Sequence, residues 1–518
     1  MQEQRDEIAR LKGEQGKPDI KPNVRPPAAT DVSSERERRQ PREHRKGRKL
    51  DRIVIDRTEV LRVDPASLPP DAALRGYDDV VVQDLILRTD NVCFRKEVWY
   101  SPTTRKSYRA ALPPGYAGEF GPGVKRLALE LYHGANVSEA KLLEVLRGAG
   151  IQISSGYVAR LLSDGEGVFG EEAAAVYQAG LESGPWHHPS ASSGQVLDDT
   201  ETRVNGQRQH CQVVCNPLYT AYHTTLKKDR LTILDVLRNG AERVFCWTDE
   251  AERLLEGWGL SAAAWRWVRR LPRDQEWSTA ELKELLDAER EWMGTQQRDR
   301  ITEALAIAAY HGQGDWPVVK LLVCDDAPQF RSVTAELALC WVHEGRHYKK
   351  LTPYVPLHQQ LLEDYRGKFW DYYRELLAYQ QQPSAEERVR LEAAFDTLFA
   401  TETGYRLLDE RIALTRAKKT GLLQVLAHPE VPLHNNPAEL GARQRVRKRD
   451  VSFGPRSPAG LQAWDTFQTL SATAKKLGVS FSRYVEDRLR QAEQVPRLDQ
   501  LIRDRAATLT LGASWAAS

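Results

Sequence analysis

Five carboxylates stand where they can do chemistry: Asp198 and Asp199 in one short stretch, Asp325 and Asp326 in a second, and Glu439 far downstream. Oxygen ligands drawn from separate chain segments suit Mg2+ or Mn2+, and a pair of such ions in one site is suited to breaking a phosphodiester. Each acid also has a plainer reading. Asp326 precedes Ala327 and Pro328 and can cap a short helix there, while Asn436, Pro437 and Glu439 fit the N-cap, the first position and the third position of a capping box. Cys340, His343 and His347 have a spacing open to zinc, but no second Cys/His pair lies near in sequence, and Cys211 with Cys215 supply only two thiols.

Such acids need a rigid frame. The runs QVLDDTETRV, QRQHCQVVCN and YTAYHTTLK, from Gln195 to Lys227, read as three strands whose short connections favour antiparallel neighbours. A strand alternates faces, so Asp198 and Asp199 cannot both point into one site. Val318–Cys324 is nearly continuous apolar sequence, the pattern of a strand buried on both faces, and it stops at Asp325. Leu337–Tyr348 reads as the next strand and its continuation, and helices follow over Asn436–Lys448, with Glu439 in the first turn, and Pro458–Lys476. The expected fold is therefore an α/β core with a mixed sheet (residues 191–240 and 315–350, completed by helices in 431–495). Two helical insertions interrupt it. Residues 241–314 carry Trp258, Trp265, Trp267 and Trp277, and residues 351–430 hold a long helix broken at Pro383, after which Ser384 and Glu387 form a capping box.

The whole chain sets the outer bounds. Its 518 residues, 41% of them hydrophobic, can bury a large core divided into two to four units. No uncharged apolar run is long enough to span a bilayer, Met1 is followed by Gln2, Glu3 and Gln4 rather than a leader, and six scattered cysteines suit reduced thiols, so a cytoplasmic protein without disulfides is expected. A net charge of +2 carries no argument for a nucleic-acid partner, but the distribution does. Nine Lys or Arg face three acids from Arg36 to Arg52, and six face one from Arg443 to Arg456. Arg36, Arg38, Arg39, Arg45, Lys46, Arg48 and Lys49, together with Arg443, Arg447 and Lys448, are the candidate phosphate contacts.

The N-terminal half divides further. Residues 1–16 read as the end of a coiled coil, 17–73 as a linker or basic arm, and 74–120 as a small antiparallel β subdomain built from VVVQDLILR, VCFRKEVWY and SYRAAL. Residues 121–190 are helical. Ser138–Arg147 and Ser154–Leu162 are joined through Gly148, Ala149 and Gly150 in the spacing of a helix-turn-helix, with Ser154 as cap and Ser155, Tyr157 and Arg160 where such a helix meets DNA. Residues 496–518 are a tail.

Several segments resemble the DDE transposases of the insertion-sequence sixty-six family over about Leu74 to Leu489. LDDTETRVNG is similar to that family's Asp-Glu-Thr strand, VCDDAPQF to its Asp-Gly turn, CWVHEGRHYKK to its Cys-Trp-Ala-His-Ala-Arg-Arg segment, and LHNNPAELGARQ to its Asp-Asn-Asn-x-Ala-Glu-Arg helix start. The resemblance implies a ribonuclease-H-like core in which Asp198, Asp325 and Glu439 hold two Mg2+ or Mn2+ ions per site, with Asp199 and Asp326 as alternative ligands. It also implies that His343 and Arg346 flank the carboxylates and steady the phosphate or its attacking water. The implied partners are double-stranded DNA, at element ends and at a target, a second copy of the chain, and helper proteins of the same element, in the cytoplasm on the nucleoid. Three departures stand out: His434 and Leu440 occupy places where the family favours Asp and Arg, and the frequent N-terminal zinc-binding cysteine motif is missing. The readings to be weighed against an active transposase are a DNA-binding protein without catalysis and a structure-selective nuclease of the same fold.

Overall fold

The computed structural model describes residues 53–116, 118–183 and 193–508. The coiled-coil remnant, the basic candidates Arg36, Arg38, Arg39, Arg45, Lys46, Arg48 and Lys49, and the last ten residues of the tail lie outside the described residues.

Residues 53–97 form no strand, and the expected three-run subdomain shrinks to one hairpin, β1 (Val98–Ser101) with β2 (Lys106–Arg109). The runs have β propensity, but Val80, Val82, Leu85, Ile86 and Leu87 all remain exposed. Propensity without a surface to pack on does not make a sheet. Helices α1 (Pro122–Leu129), α2 (Glu139–Gly148), α3 (Ser155–Leu162) and α4 (Gly167–Glu182) follow. The pair α2 and α3 matches its expected bounds because Ser138 and Ser154 cap them, taking the amides of Lys141 and Tyr157.

The central sheet contains β3 (Ser193–Val204), β4 (Gln207–Cys215), β5 (Thr220–Thr225), β8 (Val319–Cys324) and β9 (Glu336–Leu339) in the order β5-β4-β3-β8-β9. The first three are an antiparallel meander, and β8 and β9 add in parallel on the far side of β3. Between them run α5 (Arg230–Leu237), β6 (Val244–Cys246), α6 (Asp249–Trp258), α7 (Ala262–Val268), β7 (Glu276–Ser278), α8 (Thr279–Ala288) and α9 (Thr295–Gly312). The Trp-rich insertion is thus helical apart from the two-stranded antiparallel ladder of β6 and β7, and Trp247 and Trp277 are buried in a core continuous with that of α4 and β8.

The stretch read as a continued strand after Leu337 is corrected. β9 ends at Leu339, and Trp341–Lys349 is a helix, α10. LALCWV has the apolar density of a strand, yet beyond Cys340 the buried residues fall at Trp341, Val342, Glu344, Gly345 and Tyr348, a helical period. The second insertion holds α11 (Pro356–Gln381), α12 (Ala385–Leu398) and α13 (Arg406–Arg416) around an aromatic core of Trp341, Phe369, Tyr373, Phe395 and Phe399. Ser384 caps α12 through the Glu387 amide, but the Glu387 side chain goes to Arg390, so the expected box is half made.

Helices α14 (Asn436–Ser452), α15 (Pro458–Lys476), α16 (Phe481–Arg490) and α17 (Leu498–Thr508) close the chain. Helix α14 lies on β3 and β4, and at Gly441 a Cβ would stand 2.6 Å from the Val213 side chain, so only glycine permits that approach. Helix α15 runs along the outer edge of β5. Its residues 465, 469 and 473, one turn apart, accept hydrogen bonds from the amides of Thr224 (2.8 Å), Tyr222 (3.1 Å) and Thr220 (3.2 Å), so helix side chains satisfy the outward-facing donors of an edge strand.

Candidate functional site

The register of β3 and β8 decides which acids meet. Val196 pairs with Val323 in parallel, and both pack, with Ala438 of α14, in one small apolar cluster. Two residues further on in each strand direction come Asp198 and Asp325, which therefore continue the face covered by α14. Glu439 follows Ala438 at the start of that helix. The electrostatics agree: the Asp198 carboxyl is pushed up to about 8, first by burial and then by the negative charges of Glu439, Asp325 and Asp199.

The alternative acids go elsewhere. Asp199 faces the other way and takes Lys228 at 3.3 Å and Gln329 at 3.5 Å. Asp326 binds Lys418 at 2.6 Å and Arg331 at 2.9 Å. Burial works to raise the Asp326 carboxyl, but these two cations outweigh it and hold the group below its ordinary value. The capping readings are also corrected. Asp325, not Asp326, accepts the Ala327 amide, at 3.1 Å, and the N-cap of α14 is Asn435, which makes no side-chain cap bond, so there is no box from Asn436 to Glu439.

Glu439 is instead held by cations, with its side chain 13% exposed: Arg346 stands 3.1 Å from Oε1, His343 Nε2 3.4 Å from the same oxygen, and Arg443 3.6 Å from Oε2. Because α10 is a helix, His343 and Arg346 are one turn apart and touch, Arg346 donating to His343 Nε2 at 2.7 Å. Burial first, and Arg346 second, lower the His343 imidazole against the pull of Glu439 and Asp325, which favours a neutral ring. Cys340 is a buried core thiol pushed up to about 12 by burial, which suits packing better than zinc ligation.

One residue carrying this arrangement has no signature in the sequence. Lys418, beyond α13, bridges Asp326 to Glu344 of α10 at 2.9 Å, and Glu344, 3% exposed, also takes Arg411 and the Thr415 hydroxyl. The second insertion is thereby bonded to the turn that presents Asp325. A lysine some ninety residues from that turn becomes visible only once the chain is folded.

Among the described residues, no three His, Cys, Asp or Glu side chains are drawn together closely enough to hold a metal ion as they stand. The donor set nonetheless fits a divalent cation. Three carboxylates from β3, the end of β8 and α14 approach one another, Asp198 has no basic partner to offset its neighbours, and Glu439 keeps a buried Oε1 without a well-aligned donor. Like charges crowded in this way are relieved by a cation.

The basic candidates on α14 separate. Arg443 and Arg447 are exposed at one-turn spacing from Glu439, but Lys448 is buried and is corrected as a DNA contact. Its ammonium lies 3.4 Å from the centre of the Tyr132 ring and donates to the Tyr132 carbonyl. Burial, and then Arg445, lower Lys448 to about 7. Between about 7 and the ordinary 10.5 the unfolded chain holds a proton that the folded chain has lost, so folding stability rises with pH across that window. Unfolding curves for Lys448→Met and the parent chain are expected to diverge there by up to about 1.4 kcal/mol per pH unit, the variant lacking the rise; parallel curves would show that Lys448 keeps its ordinary affinity for the proton. On α3, Ser155 and Arg160 are exposed, whereas Tyr157 leans on Phe120 with ring centres 4.5 Å apart.

Comparison with known proteins places this frame. The family described as Transposase IS66 family matches residues 307–463, which contain Asp325, His343, Arg346 and Glu439. The "Uncharacterized protein y4jO" of Sinorhizobium fredii (strain NBRC 101917 / NGR234) is 32% identical over 315 residues, 60% of this chain and 94% of that protein. No solved structure matches. Among the described residues no helix is long and apolar enough to cross a membrane. The chain belongs to the IS66 family of transposases.

Proposed function

We propose that the chain cuts DNA at the ends of its insertion sequence and joins the freed 3′-hydroxyl to target DNA, as a DDE transposase with a ribonuclease-H-like core. The observation that carries this reading is the parallel register of Val196 with Val323 under Ala438, which sets Asp198, Asp325 and Glu439 on neighbouring elements, with burial and the other two carboxylates raising Asp198. The strand order, an antiparallel meander extended by two parallel strands, supports the core assignment. Asp198, Asp325 and Glu439 would hold two Mg2+ or Mn2+ ions. When bound, these supply charge neutralisation at the attacking and leaving oxygens of an in-line displacement.

The chain's own residues do the rest. Arg346, already paired with Glu439, donates to a non-bridging phosphate oxygen, and neutral His343 keeps it aimed. Attack of water on phosphorus breaks the bond to the 3′ oxygen, which leaves as the hydroxyl. That hydroxyl then attacks a target phosphodiester in the same site and displaces a target 3′ oxygen. Arg443 and Arg447 extend the site along α14 as phosphate contacts, Ser155 and Arg160 dock α3 on the duplex, and the arm from Arg36 to Lys49 adds charge that is not specific to sequence. Bringing two ends together calls for a second copy of the chain.

The cations around Glu439 favour one other reading, a chain that binds DNA without cutting it. A strand-transfer assay with labelled 3′ ends and Mg2+ separates the possibilities. Joined products longer than the substrate are expected. Cleavage without joining would make the chain a nuclease, and binding with neither would leave the non-catalytic reading.

A further inference from the structure

Helix α14 ends on a residue that the chemistry above does not use. Phe453 is 84% exposed and sits at the C-cap with φ 59° and ψ 14°, the left-handed region that glycine usually fills at helix ends. Among the described non-glycine residues with positive φ it is the only aromatic. The neighbours hold it there. Gly454 presses so closely on β3 that a Cβ would lie 2.2 Å from the Arg203 carbonyl oxygen, the Pro455 carbonyl accepts the Asn205 amide at 2.9 Å, and Arg449 donates to the Glu201 carbonyl at 2.7 Å. The loop is clamped to the β3–β4 hairpin and the ring is turned outward. A strained backbone and a ring in water both cost free energy, and among the described residues the ring stays 84% exposed, so packing does not offset them.

The surroundings specify what does. Arg203 and Arg208 are directly opposite in the β3–β4 register and both exposed, an unfavourable like-charge pair that an anion relieves. Glu201 offsets one of them, reaching Arg208 at 3.0 Å. Arg447 and Arg456 are exposed on either side of the ring in sequence. An aromatic face within a basic surround is the apparatus of single-strand binding, where bases stack and phosphates pair. Glu439, Arg443 and Arg447 form one stripe, and Phe453 lies fourteen residues beyond Glu439, about 20 Å along the helix. At about 3.4 Å per nucleotide that is roughly six nucleotides.

We propose that Phe453 is a stacking residue that receives an unstacked DNA base within about six nucleotides of the phosphate at Glu439. The proposal rests on α14 facing DNA, not on cleavage. The test uses the full-length chain and a forked oligonucleotide of mixed sequence carrying 5-iododeoxyuridine at successive positions in its single-stranded arm. Phe453 is expected to be the chief aromatic residue cross-linked. Phe453→Ala should weaken binding about fivefold or more with an unchanged salt slope, and Phe453→Trp should restore it. Arg203→Ala should lower the salt slope by about one. Phe453→Gly should lose the same affinity while melting no lower than the parent chain, because glycine relieves the strain. Binding within twofold of the parent for Phe453→Ala, no restoration by Phe453→Trp, or a Phe453→Gly chain that melts several degrees lower would each overturn the proposal, the last by showing a structural role. Cross-linking and binding are read without Mg2+, so failure of the cleavage reading leaves this one standing. A parent chain that does not bind forked DNA sinks both.

Discussion

Asp325→Asn and Glu439→Gln are each expected to lower Mg2+-dependent cleavage about a thousandfold or more, the equivalent of about 4 kcal/mol in the transition state. The amides keep the size of the side chain but exchange one acceptor oxygen for an NH2 donor and remove the charge that Arg346 and Arg443 meet at Glu439, so the fold should persist and DNA affinity should not fall. Asp198→Asn should match them. Asp199→Asn, whose carboxylate is spent on Lys228, should fall by less than about tenfold. This contrast is the sharpest form of the test, because the two aspartates are neighbours on one strand and differ only in the face they occupy. Cleavage at the parent rate by any of the first three variants removes that residue from the site, and a large loss in Asp199→Asn alone exchanges the two.

The second large effect concerns stability. Arg445 of α14 is 0% exposed, forms a salt bridge with Asp465 of α15, and lies 5.5 Å from the ring centres of both Tyr222 and Trp464. Asp465 also accepts the Thr224 amide and hydroxyl. Asp465→Ala therefore leaves a buried guanidinium without its counter-charge and an edge strand without one of its acceptors. A cost of about 3–5 kcal/mol is expected, read from the urea midpoint at neutral pH. Adding Arg445→Met to Asp465→Leu should recover most of it, since the penalty lies in the stranded charge more than in the lost pair. A single variant within about 1 kcal/mol of the parent would mean that water reaches Arg445 in solution.

Much of the frame around Asp198, Asp325 and Glu439 was legible before folding. The meander from Gln195 to Lys227, the buried strand ending at Asp325 and the helix starting near Glu439 all follow from apolar periodicity and cap chemistry, which are local. What was not legible depends on partners distant in sequence. Alternation separates Asp198 from Asp199 but cannot say which face α14 covers; the pairing of Val196 with Val323 says it. The basic run from Arg443 reads as a line of phosphate contacts, yet Arg445 and Lys448 continue the buried stripe of Ala438 and Gly441. Arg445 and Lys448 are accommodated there by Tyr222, Trp464 and Tyr132, rings brought from three other segments. Leu337–Tyr348 reads as a strand because LALCWV at its start has the apolar density of one, and only the burial period beyond Cys340 reveals a helix. Residues 80–97 have the opposite fault, strand composition with no pairing neighbour among the described residues.

The way α15 closes β5 also bears on how copies of the chain can meet. A transposase must hold two DNA ends at once, and a common route to self-association is to lengthen a shared sheet across a two-fold axis. That route is shut on this side, because the amides a visiting strand would need are already bound to residues 465, 469 and 473. At the opposite border β9 is packed by the helical turns at Lys419–Leu422 and Gln424–Ala427. With both borders covered among the described residues, a second copy of the chain would have to meet this one elsewhere than along the sheet.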